Sequence, residues 1–196
     1  VIIGGLLRIV LTQHSTFLIN SWAHTIGRRT YTDKNSARDS LLLALMTFGE
    51  GYHNYHHLFQ ADYRNGIKWY HWDPTKWWIR ALSFFGLAGK LKRAPKEEIL
   101  KARIAMEEKV LLSRGACADR VTQLKARVIE TQKRLKQLRD DYLQAKKNFA
   151  LRNNAQERMS KYELLRAEIK MAKLEFQSAY GQWRVFRRTM RRAAVA

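Results

Sequence analysis

Three histidines, His53, His56 and His57, stand at i, i+3 and i+4 in the segment GEGYHNYHH (Gly49–His57). On an α-helix those positions share a face, so three imidazoles come within reach of one point. Neutral imidazole binds iron, zinc and copper well, and one short stretch could therefore supply three bonds to a metal centre. A second pair lies upstream in NSWAH, where Asn20 and His24 are one helical turn apart. Taken singly, HxxHH also suits a polar surface patch or an adventitious metal site, because such spacing recurs by chance. The two motifs together, with the residues around them, favour a metal enzyme.

The elements that must carry these side chains are legible around them. The opening VIIGGLLRIVLTQHSTFLIN is apolar but interrupted by Arg8, Gln13 and His14, and it lacks a small-residue cleavage site. It is too polar for an isolated spanning helix of about 20 apolar residues and reads as the end of a helix whose polar side faces protein. His14 lies off the helical face of Asn20 and His24 and is expected to stand behind the ligands or to be purely structural. Arg28–Arg38 (RRTYTDKNSAR) is a polar loop with Asp and Asn turn formers. Ser40–Phe48 (SLLLALMTF) is helical in composition, too short to span, and leads into the histidine box. Glu50 is expected to hydrogen-bond a ligand imidazole and fix its tautomer, with a local salt bridge as the alternative.

After the box, Asp73 and Pro74 form a helix-start signal. The following helix, about 75–87, has Trp77, Trp78, Ala81, Leu82 and Phe85 on one side and Lys76 and Arg80 on the other, which suits a membrane surface. A packed helix of a cytosolic cap is its alternative, and His71 reads as structural.

Composition divides the chain at Pro95. Residues 1–94 hold 12 basic and 5 acidic residues, and 95–196 hold 25 and 12, which together give the net charge of +20. Such a balance suits a nucleic acid, an anionic membrane surface or an acidic ligand such as a CoA phosphate. Five of the six tryptophans lie in the first part, and tryptophan with Lys/Arg is the membrane–water interface pattern, which disfavours nucleic acid. Positive charge collects on the cytoplasmic side, where the tail is then expected. The single cysteine, Cys117, excludes an internal disulfide framework. From 96 onward there is no proline, and PKEEILKARI starts a helix with Pro at N1 and Glu in its first turn. Heptad spacing runs from Val121 to Phe149 and again from Tyr162 to Ala179, with Asn153–Asn154 as a possible turn between them. A helical hairpin is expected, with one long coiled coil as the rival. The closing RVFRRTMRRAAVA adds five arginines suited to anionic lipid, or to solvent.

NSWAHTIGRRTYTDKNSARDS (20–40), GEGYHNYHHLFQADYRNG (49–66) and WDPTKWWI (72–79) resemble the carboxy-terminal half of membrane fatty-acyl-CoA desaturases of the Δ9, stearoyl-CoA desaturase-like group. The resemblance covers about residues 5–105 and ends near 108. It implies an all-α fold: part of a membrane helical bundle with cytosolic cap helices, here followed by the basic helical tail. It implies two iron ions that activate dioxygen and remove two hydrogens from an unactivated acyl chain, with His24, His53, His56 and His57 as iron ligands. Asn20 would reach the metal through a water. The partners implied are a fatty acyl-CoA, dioxygen, membrane lipid and an electron donor. No HPGG haem motif is present, so a separate donor of ferredoxin or cytochrome b5 type is expected. Removing hydrogen from a methylene needs an oxidant stronger than any side chain, and histidines with few carboxylates set this family apart from soluble carboxylate-rich diiron bundles.

The family also carries an earlier HxxxxH and a further HxxHH, neither of which occurs here. With Val1 inside an apolar run, the chain is expected to be a carboxy-terminal piece, an integral membrane segment with its histidines and tail on the cytoplasmic side. By itself it is expected to hold iron weakly and to be inactive. A membrane diiron hydroxylase, or a non-enzymatic basic coiled-coil remnant of a broken gene, are the competing readings.

Overall fold

A computed structural model describes residues 2–149 and 155–193, and among them it holds seven α-helices and no strand. The chain divides into two compact units, Val1–Met106 and Glu107–Ala196, with the division inside the fifth helix rather than at Pro95.

In the first unit, α1 (Ile2–Thr25) runs unbroken for 24 residues, about 36 Å at 1.5 Å per residue. That is long and apolar enough to cross a membrane, which corrects the expectation that this stretch is too polar to span. The physical reason is that its hydroxyls bond within it: Thr12 donates to Arg8 O, Thr16 to Thr12 O, Ser21 to Phe17 O and Thr25 to Ser21 O. A hydroxyl tied to the carbonyl four residues back is far cheaper to place in hydrocarbon than a free one. His14 does the same through its Nδ1, 2.8 Å from Val10 O.

Helix α2 (Leu41–Met46) starts where Ser40 caps it, its side chain accepting from Leu43 N, and it packs against α1. Helix α3 (His53–Leu58) carries the histidine box. Helix α4 (Pro74–Phe84) has Pro at its first position and Asp73 as N-cap, accepting from Lys76 N. The lysine of that helix reverses the expected pattern. Lys76 was expected on the outward polar face, but it is buried, and its Nζ donates to the carbonyls of Gly66, Lys68 and His71. Three carbonyls from one loop take the place of water around the ammonium, which is what makes its burial tolerable. Trp69, Trp78, Phe84, Phe85 and Leu87 are exposed.

Helix α5 (Lys96–Ser113) opens with Glu97 and Glu98 in its first turn, where carboxylates favour the helix dipole. In the second unit, α6 (Ala118–Phe149) and α7 (Ala155–Ala193) pack side by side. Their partners run in opposite sequence order: Arg127 bonds Gln182, Arg134 pairs with Glu175, and Tyr142 meets Tyr162 at 5.7 Å. The two helices are therefore antiparallel, which one continuous helix cannot be, and the hairpin expectation replaces its rival. Val121, Leu124, Val128 and Leu135 on α6 and Ala172, Ala179 and Trp183 on α7 are buried. The expected turn at Asn153–Asn154 lies outside the described residues. Trp183, the one tryptophan outside the first part, is fully buried and donates through Nε1 to Glu107 Oε2 at 2.7 Å, while Arg187 pairs with the other oxygen of the same carboxylate.

Candidate metal centre

The box helix α3 is only six residues long and gets no side-chain cap from its own N-cap residue, Tyr52. Asp39 supplies the cap from outside. Its Oδ1 accepts from Tyr55 N at 3.2 Å, and its backbone bridges antiparallel to both Arg28 and Tyr52. Burial pushes the Asp39 carboxyl up to about 6, only partly offset by hydrogen bonds from the Thr30 side chain and the Tyr55 and Asn54 backbone.

Asn54 inside the box is fully buried and spends its whole hydrogen-bonding capacity on one loop. Oδ1 accepts from Tyr31 N and Thr32 N, and Nδ2 donates to Thr32 O and Ala37 O. The 30–38 loop is thereby pinned to α3. Its far end is tied to α1 by Arg38 N, which donates to Ala23 O at 2.7 Å. Below the box, Tyr55 OH donates to Asp62 Oδ2 at 2.7 Å, and Arg64 grips both oxygens of that carboxylate. Asp73 accepts from Asn65 N and Gly66 N besides capping α4.

This scaffold brings three imidazoles together. His53 Nε2 lies 3.1 Å from His24 Nε2 and 3.0 Å from His57 Nε2. One ligand atom from each of the three falls within 4.8 Å of the others, with His53 buried and the other two half-buried. Three ring nitrogens aimed at one point cannot all be satisfied by one another's protons, whereas a cation between them accepts three lone pairs. Burial, and then the neighbouring rings of His57, His24 and His56, lower His53 to about 4. Burial and the rings of His24 and His56 lower His57 as well. Both shifts favour the neutral form, which is the form that binds metal. The donor set therefore fits a divalent transition metal.

His56 stands outside this group, its ring 6.2 Å from that of His57 and 6.4 Å from that of His53. Asn20 lies exposed one turn before His24 on α1, and His14 is exposed farther along the same helix. Glu50 and His53 have the E-x-x-H spacing of carboxylate-rich diiron bundles, but the Glu50 carboxylate accepts from Asn65 Nδ2 at 2.8 Å. It bonds no imidazole there. His71 also lies apart, stacked on Tyr52 at 4.8 Å and held down to about 4 by burial and by Lys68 and Lys76. Asp39, Asn54 and Ser36 were not singled out as functional from the sequence. Asp39 and Asn54 stand 15 residues apart, and a loop clasp at that separation carries no periodic signal by which to find them.

The shifts give a signed pH prediction for the metal-free protein. His53 and His71 are depressed in the folded state, so their contributions are fully present above about 6.5 and are lost as pH falls through about 4. Asp39 is raised, so its contribution is present below 3.8 and lost as pH rises through about 6, which opposes the histidines in the same window. The Tm of the metal-free protein is expected to fall from pH 6.5 to 4. In Asp39→Asn it should fall more steeply, because the opposing group is gone. An equal or shallower acid slope in that variant, read by thermal unfolding, would contradict the assignment.

Residues 1–88 match the family model described as fatty acid desaturase. The chain is 50% identical over 108 residues to a probable acyl-CoA desaturase of Schizosaccharomyces pombe, an alignment covering 55% of this chain and 22% of the relative. It is 46% identical over 115 residues to acyl-CoA desaturase 1 of Saccharomyces cerevisiae, covering 59% and 22%. A third relative, the sn-1 stearoyl-lipid 9-desaturase of Anabaena variabilis, is 39% identical over 98 residues, covering 50% and 36%. The matched stretch thus spans 22% of the length of either yeast relative.

Proposed function

We propose, from the premise that residues 1–88 belong to the fatty acid desaturase family, that this chain is the metal-binding carboxy-terminal part of an acyl-CoA desaturase of Δ9 type. The observation that carries the reading is the convergence of His24, His53 and His57 on one point. The whole protein would insert a cis double bond into a fatty acyl-CoA, using dioxygen and electrons from a separate donor of ferredoxin or cytochrome b5 type. Two iron ions would supply the oxidising power that no side chain has.

Within this chain, His24, His53 and His57 would hold one ion through Nε2. His56, offset from them on the same short helix, would serve the second ion, and Asn20 would reach the centre through a water. Glu50 and His14 would stand behind these ligands, Glu50 through Asn65. Burial around His53 keeps that imidazole, and that of His57, in the neutral form that binds metal. Helix α1 would cross the membrane, and the exposed tryptophans of 69–78 would sit at its surface, placing the histidines and the basic tail on the cytoplasmic side. The tail's arginines would meet anionic headgroups there. Residues 1–196 alone, with this one convergent set among the described residues, would hold iron weakly and turn over no substrate.

The test is product analysis of the intact, membrane-embedded protein given a saturated acyl-CoA, dioxygen and a reduced donor. A mono-unsaturated product with two irons per protein is expected. An alcohol at the same carbon, the hydroxylase outcome, would overturn the reading.

A further inference from the structure

We propose that Ser36 is a positioning residue that fixes the ring tautomer of His24, so that its Nε2 lone pair is turned to the metal. The inference rests on His24 being a ligand, and it names the group that prepares it.

His24 Nδ1 lies 2.8 Å from Ser36 Oγ, and its other nitrogen, Nε2, is the one 3.1 Å from His53 Nε2. The two nitrogens of the ring thus have separate duties. A metal on Nε2 requires the proton on Nδ1, and a proton there needs an acceptor, which the serine hydroxyl provides through a lone pair. Metal-bound histidines usually give that second N–H to a carboxylate, a carbonyl or a water. Here a hydroxyl from a loop does it.

That loop is not free to drift. Asn54, between two residues of the box helix, holds it at Tyr31, Thr32 and Ala37. Asn35 Oδ1 accepts from Ala37 N at 3.1 Å, which closes the turn around Ser36 itself. Arg38 N then ties the loop to Ala23 O, the residue beside His24. Helix α3 therefore orients the ligand on α1 through the loop, while presenting His53 and His57 directly. His53, by contrast, has a buried Nδ1 with no hydrogen-bond partner among the described residues.

The test compares Ser36→Val with Ser36→Thr in the intact protein, since those side chains share a shape and differ by the hydroxyl. The readout is the affinity for cobalt(II), measured by competition with a chelator of known strength, alongside metal content and turnover. Ser36→Val is expected to bind cobalt roughly 10- to 100-fold more weakly, as loss of such outer partners does, and Ser36→Thr to stay near wild type. Equal affinity in the two variants overturns the proposal whether or not either is less stable. His24→Ala separates the two levels. If it loses cobalt while Ser36→Val does not, only the positioning role fails; if it keeps full affinity, His24 is not a ligand and the reading beneath fails.

Discussion

Replacing His53 by alanine in the intact protein is expected to abolish turnover and to strip most of the metal. His53 is the middle member of the cluster, within 3.1 Å of both His24 and His57 and more buried than either. On the proposed reading its removal deletes a direct bond to the metal and takes away the most buried member of the cluster. The loss should exceed the roughly 10- to 100-fold that changes behind a ligand produce. His57→Ala should behave alike. His56→Ala should also lose turnover but retain more metal, because its ring stands outside the three-nitrogen group. Metal analysis and oxygen-dependent turnover on matched preparations check this. Wild-type metal and turnover in His53→Ala would end the assignment of this cluster as the centre.

A comparable loss is expected from a residue with no side chain. Gly51 lies in the tight turn between α2 and α3, and a Cβ there would run into the backbone of Ala44 and Leu43. Those atoms belong to α2, so no rotamer can give way, and Gly51 O is already engaged by Ser40 N. Gly51→Ala is therefore expected to cost about 3 kcal/mol or more, the upper range for overpacking, and to displace α3 with its histidines. Gly89→Ala is the matched control, since nothing lies within 4 Å of its Cβ position. Thermal unfolding with metal content should show a large drop in the first variant and little in the second. Similar stability in both would mean that the turn is not close-packed.

How the box is supported was less legible than the box. HxxHH announces itself by spacing, because a helix puts i, i+3 and i+4 on one face. Yet the same periodicity placed His56 with its neighbours, and the structure sets it apart. Six residues of helix at a packed end leave each ring to the contacts around it. Lys76 makes the same point: pattern assigned it to solvent, and three loop carbonyls brought it inside.

What repeats or is local was legible in the residues alone: the helical tail after Pro95, the helix starts at Ser40, Asp73 and Pro95, the heptad seams of α6 and α7, and the two histidine motifs. These are readable because each depends on residues a turn or two apart. Only the tertiary structure decided which imidazoles meet, that Asp39 caps a helix it does not belong to, that Asn54 clasps a loop 17 to 23 residues away, and that Ser36 faces His24. Those pairings join segments whose separation follows no period. They exist because buried polar groups must find partners, and the chain offers those partners only once it has folded.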